Sequence, residues 1–235
     1  MTSAENKALT LSLVVFGLFS AAACGCMKFA DKGLKAEAIK GELTAEVPAA
    51  WFFYGPVDGQ PAYDFSCGID SGVRHGGAHS VSFFATDVNR DDQARLTQRF
   101  LSDRYNGKRV RFSGYMKTNQ VGEWAGLWIR VDTASKQAYA FDDMEDRPLT
   151  GTVDWTSCEV VVDVPENAVT VYLGAYLYGC GQVWLDDCTF EVVGDEVPIT
   201  NPDRHLGGYK RTHSIPEFLE DEPLNLDFEE ENLFD

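Results

Sequence analysis

Between Gly107 and Val193, apolar and polar positions alternate through six successive blocks: GKRVRFSGYMKT, GLWIRVD, FDDMEDRPLTGTVDW, EVVVDVP, VTVYLGAYLYGCGQVW and LDDCTFEVV. Alternation with a period of two, broken by short turn-rich stretches, predicts strands that bury one face, and their spacing predicts an all-β, antiparallel jelly-roll sandwich. Upstream, AAWFFYGP opens the domain, AYDFSCGID and HSVSFFATD read as strands around the turn-rich SGVRHGG, and residues 94–103 read as extended. The expected organisation is an N-terminal signal or anchor at 1–23, a linker at 24–48 and the jelly roll at 49–200. An acidic linker at 201–222 and a C-terminal strand at 223–235 follow.

The same alternation divides each strand into a core set and an outer set. In 110–117 the core set is Val110, Phe112 and Met116, which leaves Arg111, Ser113, Tyr115 and Lys117 outside. In 127–131 it is Leu127, Ile129 and Val131, leaving Trp128 and Arg130. In 169–178 it is Val169, Val171, Leu173 and Leu177, leaving Tyr172, Tyr176 and Tyr178. If these strands share a sheet, Arg111, Tyr115, Trp128, Arg130, Tyr172 and Tyr176 line one concave face. Rings and forked donors suit sugars, whose C–H faces stack on aromatics while their hydroxyls take hydrogen bonds from charged groups. The alternative is that the 133–155 loop or the tail covers the rings. The expected partner is a carbohydrate or, failing that, an envelope protein.

Charge narrows the partners further. The 235 residues carry a formal net charge of -17, which excludes an unaided nucleic-acid partner, because phosphate backbones are bound by neutralising them. From Asp195 to Asp235 there are twelve acidic and three basic residues, so the tail holds -9 of the -17 and the domain is only mildly acidic. Residues 8–23 form an apolar and small-residue run between Lys7 and Cys24, shorter than a membrane-spanning core and close to the apolar region of a secretory signal. SAAAC at 20–24 resembles a bacterial lipoprotein signal, which implies lipidation at Cys24 and an exported, envelope-anchored protein. Plain cleavage after the alanine run, an uncleaved anchor and a cytoplasmic apolar helix are the alternatives. Membrane contact is expected only through this N-terminal lipid or anchor.

Cys67, Cys158, Cys180 and Cys188 permit two disulfides in three connectivities. Cys67 with Cys188 is the favoured pair, since the first and last strands of a jelly roll are commonly neighbours; four small buried hydrophobes are the alternative. No CxxC occurs and the four histidines lack a ligand pattern. Asp142, Asp143 and Asp146 are weak candidates for a structural calcium ion, with a solvated loop as the simpler reading. No other cofactor is expected. No GxSxG, HExxH or phosphate-cradling loop is present, and the acidic cluster sits on one short turn, so no catalytic residues are assigned.

FDDMEDRPLTGTVDW, followed by DVP and GAYLYGCGQVWLDD, resembles a galactose-binding-like jelly-roll domain. That domain accompanies bacterial C-terminal processing peptidases, erythromycin-esterase-like proteins and AraC-type regulators. The resemblance covers about Trp51 to Thr200, with Asp143 where the family has Asn, and it implies a non-catalytic accessory module. Nothing resembling a peptidase, an esterase or a helix-turn-helix is present, so no such activity carries over. Family domains commonly open on a strand close to NLDFE; here PLNLDFEEENLFD closes the chain at 223–235. Its alternating Leu224, Leu226 and Phe228 predict a strand that completes the sandwich from the far end, or else the start of a second module.

Overall fold

The structure, a computed structural model, describes residues 46–54, 64–86, 93–135, 138–202 and 219–230. Cys24, the 1–23 segment and most of the acidic linker lie outside the described residues. Nine strands follow in order: β1 (Phe52–Tyr54), β2 (Asp64–Asp70), β3 (Ser80–Thr86), β4 (Gln93–Leu101), β5 (Arg109–Thr133), β6 (Ala138–Asp142), β7 (Leu149–Asp163), β8 (Ala168–Tyr178) and β9 (Gly181–Val193). Every pairing is antiparallel and no helix occurs among the described residues.

β5 makes the two layers. Its first half, Arg109 to Asn119, lies between β9 and β7, whereas its second half, Trp124 to Thr133, lies between β8 and β6. The back sheet is therefore β2-β3-β9-β5-β7 and the front sheet β1-β4-β8-β5-β6. The register against β7 shifts three times between Met116 and Ala125, and Gln120 has φ 53°. Bulges of this kind bend a strand and let it change sheets. The bend is packed against the β8–β9 turn, where Gly122 N–H donates to Cys180 O at 2.8 Å. A Cβ on Gly181 would stand 2.6 Å from Val121 Cα, so only glycine lets the two backbones approach this closely.

Between the sheets lies one core. Phe83 and Leu185 of the back sheet, and Leu96, Phe100, Ile129 and Leu173 of the front sheet, are fully buried in a single cluster. Val110, Phe112 and Met116, then Leu127, Ile129 and Val131, all point inward as the alternation predicts. Phe53 meets Phe83 at 6.0 Å and Phe100 meets Phe190 at 5.2 Å, ring contacts that tie one sheet to the other. The six blocks read from the sequence become five strands, because GKRVRFSGYMKT and GLWIRVD are halves of β5.

Two expectations are corrected. Cys67 and Cys188 are free and buried. β3 separates their strands: Cys67 sits opposite Phe83, which sits opposite Val183. Two strand spacings, about 9.5 Å, exceed the roughly 7 Å over which a disulfide can close. Cys180 is the disulfide-bonded cysteine among the described residues.

The C-terminal segment also departs from expectation, since 219–230 contains no strand. Positive φ at Asn225 (47°) and Phe228 (60°) breaks the extended run. It closes the core nonetheless. Phe228 is buried against Trp51, ring centroids 5.3 Å apart, and Leu226 packs on the same cluster, while Leu224 stays exposed. Leu101 N–H of β4 donates to Glu220 O at 2.8 Å, and Cys188 N–H of β9 donates to Leu226 O at 3.0 Å, so the segment straps front sheet to back sheet. Gln98 exchanges two 2.7 Å bonds with the Leu224 backbone, and Trp51 Nε1–H donates to Asn225 O at 3.0 Å. Glu229 ends the strap by accepting from the N–H groups of Ala78 (2.7 Å) and His79 (3.1 Å), with the His79 ring 3.2 Å away.

Burial alone would raise the Glu229 pKa, but those backbone donors and His79 outweigh it and hold the carboxyl below its ordinary 4.5. A depressed carboxylate stabilises the fold above its unfolded-state pKa and loses that contribution as pH falls through the folded-state value. Glu229→Gln should therefore melt below the wild type at pH 7 and coincide with it once the pH is well under 4.5, as read by thermal melts across pH. Burial pushes the Cys67 thiol up to about 12, that of Cys158 to about 11, and that of Cys188 well above its ordinary value. These three thiols should ignore a disulfide reagent at pH 8 in the native protein and all react in guanidinium.

A candidate binding face on the front sheet

The outer face of the front sheet carries rings and guanidiniums in register. One row runs Tyr54, Arg95, Tyr176 and Gly126; the next runs Phe52, Thr97, Gly174 and Trp128; the third runs Arg99, Tyr172, Arg130 and Phe141. Tyr178 and Trp124 pair directly at the end. Such positions face outward because their neighbours Leu96, Phe100, Leu173 and Ile129 point into the core.

The face has a floor and a rim. Trp128 (1% exposed), Tyr176 (7%) and Phe141 (8%) form a second apolar cluster, separate from the main core. Trp128 lies across Gly174 and donates from Nε1 to Leu96 O at 3.3 Å. A Cβ on Gly174 would stand 1.9 Å from that carbonyl oxygen and 3.1 Å from the indole nitrogen. Trp124, Tyr172 and Tyr178 are half-buried around the floor, Trp124 stacking on Tyr178 at 4.3 Å. Phe52, Tyr54 and Tyr139 are exposed at the edges. Burial pushes the Tyr176 phenol above its usual range, against the pull of Arg95 beside it.

Three arginines are set among these rings. The Arg95 guanidinium lies 5.0 Å from the Tyr54 ring centre and 5.6 Å from that of Trp128; Arg99 lies 5.0 Å from Phe52; Arg130 lies 4.2 Å from Tyr172. Arg130 is ion-paired at 3.0 Å with Asp132, which is fully buried. Arg95 and Arg99 have no carboxylate within 4.0 Å among the described residues, and their buried Nε groups have no hydrogen-bond partner. The buried hydroxyls of Thr97 and Thr170, which share this face, also lack partners.

Trp128, Arg130, Tyr172 and Tyr176 are thus together, but Arg111 and Tyr115 are not with them. The single face expected from the sequence requires both halves of β5 in one sheet, and the bend sends Arg111 and Tyr115 to the outer side of the back sheet. That surface is electrostatically closed. Arg109 pairs with Asp163 (2.7 Å), Arg111 with Glu191 (2.6 Å) and Glu159 (3.7 Å), and Lys117 with Asp154 (2.6 Å). Tyr115 is stacked under His75 at 3.6 Å, and His75 Nδ1 lies 2.6 Å from Asp187.

Sequence reasoning put Tyr178 in the outer set without naming it as part of the face, and missed Arg95, Arg99 and Trp124. The signal was present in QARLTQRFL, where Leu96 and Phe100 alternate with Arg95, Thr97 and Arg99.

Motif carboxylates turn out to hold loops. Both Asp142 oxygens accept from Arg147 (3.2 and 2.7 Å), and Met144 N–H (3.0 Å) and the Thr200 hydroxyl bind the same carboxylate. Asp146 accepts from Arg147 at 2.7 Å, and Asp143 accepts from Glu145 N–H at 3.3 Å. The cation these residues gather is a guanidinium, and no cluster of three or more metal-ligating side chains occurs among the described residues. Likewise Trp184 Nε1–H donates to Asp70 at 2.8 Å, and Asp186 accepts from His75 N–H (2.7 Å) and Gly76 N–H (3.1 Å), which pins the 71–79 loop.

No family model matches the chain. It is 41% identical over 176 residues to the uncharacterized HTH-type transcriptional regulator YbfP of Bacillus subtilis (strain 168), covering 74% of this chain and 56% of that protein. The chain thus spans little more than half the length of this curated relative. Among solved structures, the enzymatically active domain of bacteriophage CBA120 tailspike protein 4 matches with TM-score 0.45 and 15% identity, over 62% of this chain and 20% of that one. The CBM22-1 xylan-binding domain from Paenibacillus barcinonensis matches with TM-score 0.43 and 12% identity, over 65% and 96%. The resemblance is to β-sandwich carbohydrate-binding modules, and at these values it assigns neither ligand nor site.

Because a Cβ on Gly174 would collide with the Leu96 carbonyl that accepts from Trp128, Gly174→Ala should cost about 3 kcal/mol through overpacking. The near-ultraviolet dichroism of the tryptophans should change with it. Denaturant titration and the aromatic spectrum check both.

Proposed function

We propose that this chain is an exported, non-catalytic module that binds carbohydrate on the outer face of its front sheet. The observation that carries this reading is the half-buried rim of Trp124, Tyr172 and Tyr178 over a locked floor of Trp128, Tyr176 and Phe141. Rings held flat at a surface offer area for sugar C–H faces at little entropic cost, and hydroxyls and guanidiniums between them take the sugar hydroxyls. Aromatic patches left at a surface mark an interface of some kind. Asp132, beside the arginine rows, is ion-paired with Arg130, which suits binding better than acid–base chemistry. Export rests on the apolar run ahead of Cys24. Regulation by the named relative belongs to a longer protein and supplies no activity here.

A second reading, a protein-docking module of the cell envelope, is favoured by the exposure of Phe52, Tyr54 and Tyr139 at the edges of the same face.

Tryptophan fluorescence titrated with xylan, galactan and peptidoglycan oligosaccharides should saturate for at least one of them. Trp124→Ala should weaken that binding about tenfold, near 1.4 kcal/mol, in a protein that still folds at the assay temperature but melts lower through the lost stacking on Tyr178. A flat response to all three, or an affinity indifferent to Trp124, would favour the docking reading.

A further inference from the structure

The strands of this domain contain two kinds of arginine. On the back sheet Arg109 and Arg111 each meet a carboxylate, and on the front sheet Arg130 meets Asp132. Among the described residues Arg95 and Arg99 meet rings and, for Arg95, the Tyr176 hydroxyl, and these hold them in place without neutralising them. In a chain of net charge -17, two cations with no acid partner among the described residues, set on an aromatic face, favour an anionic ligand there. Their buried Nε donors and the Thr97 and Thr170 hydroxyls are unsatisfied by the described protein. Those atoms are closed off inside the face, so what the half-buried Arg95 and Arg99 side chains offer a ligand is the terminal N–H groups of their guanidiniums.

We propose that the ligand is an acidic carbohydrate, a glycan bearing uronate carboxylates, read by Arg95 and Arg99 and stacked on the neighbouring rings. This rests on the carbohydrate reading above and adds the charge. The two arginines are four residues apart on β4, about 13 Å along the strand, so they engage groups on different sugar units of a chain. Thr97 lies between them in the row of Gly174 and Trp128. A guanidinium presents a planar fork that matches a carboxylate, and charge-assisted bonds of this type are about twice as strong as neutral ones.

The test uses the whole chain in calorimetric titrations with oligogalacturonate and oligoalginate, each beside its carboxyl-reduced counterpart. The acidic form of at least one should bind ten times or more tighter than its reduced form, and added salt should narrow that gap. Arg95→Gln and Arg99→Gln should each remove most of the gap while staying folded at the titration temperature, as an unchanged far-ultraviolet dichroism spectrum would show, though each melts somewhat lower through the lost ring contacts. Arg111→Gln, on the back sheet, should leave it intact. If the reduced oligosaccharides, or neutral glycans, bind as well as the acidic ones and the arginine variants change nothing, the charge assignment is wrong and the carbohydrate reading survives. If no glycan of either kind binds, both fall.

Discussion

A strand of 25 residues would extend about 80 Å, far more than a domain with a radius of gyration near 15 Å can accommodate in one layer. β5 must therefore bend, and the rest of the structure follows from where it does so. Bulges between Met116 and Ala125, braced by the glycine-bearing β8–β9 turn, place Arg109–Asn119 in the back sheet and Trp124–Thr133 in the front. Both halves turn their alternate apolar residues toward the same core. Their other residues consequently face opposite ways, which gives the domain two outer surfaces of different chemistry from one continuous segment.

Those surfaces differ in how charge is compensated. The back face is laced with cross-strand ion pairs, each worth a fraction of a kcal/mol in water and together a solvated surface with no open valence. On the front face Arg95 and Arg99 are clamped by rings, an arrangement that contributes about 0.5 to 2 kcal/mol per contact yet leaves the charge available. Positioning by strands and a packed floor fixes these groups to within the tolerance that recognition needs. Rings and cations on a loop would have to be ordered by the ligand itself.

The segments that look most distinctive as sequence do structural work. FDDMEDRP folds Arg147 back onto Asp142, which Thr200 also binds, and WLDD secures the 71–79 loop through Asp70 and Asp186. The NLDFE segment caps one side of the sandwich through Leu226 and Phe228, joining β4 to β9 by single backbone bonds where a full strand was expected. A family resemblance carried by such residues tracks the fold, because they hold turns in place, and is silent about the ligand.

From the sequence alone, the alternation of apolar and polar residues determined which side of each strand faces the main core, apart from Val169, which was expected there and is half-buried outside the cluster, while the outer-set Trp128 and Tyr176 are buried in a second one. Val110, Phe112, Leu127, Ile129, Leu173 and Leu177 all lie in the core. That succeeds because successive side chains on a strand must point to opposite faces, a purely local property. Which faces belong together was decided only by the tertiary structure. Sheet membership depends on hydrogen-bonded partners such as Arg95 with Tyr176, or Phe112 with both Val160 and Phe190. Those partners are remote in sequence, and no periodicity encodes them. The same non-local pairing inserted β3 between Cys67 and Cys188, moved Arg111 and Tyr115 to the far side, and brought Arg95 and Arg99 beside Tyr172, Tyr176 and Trp128.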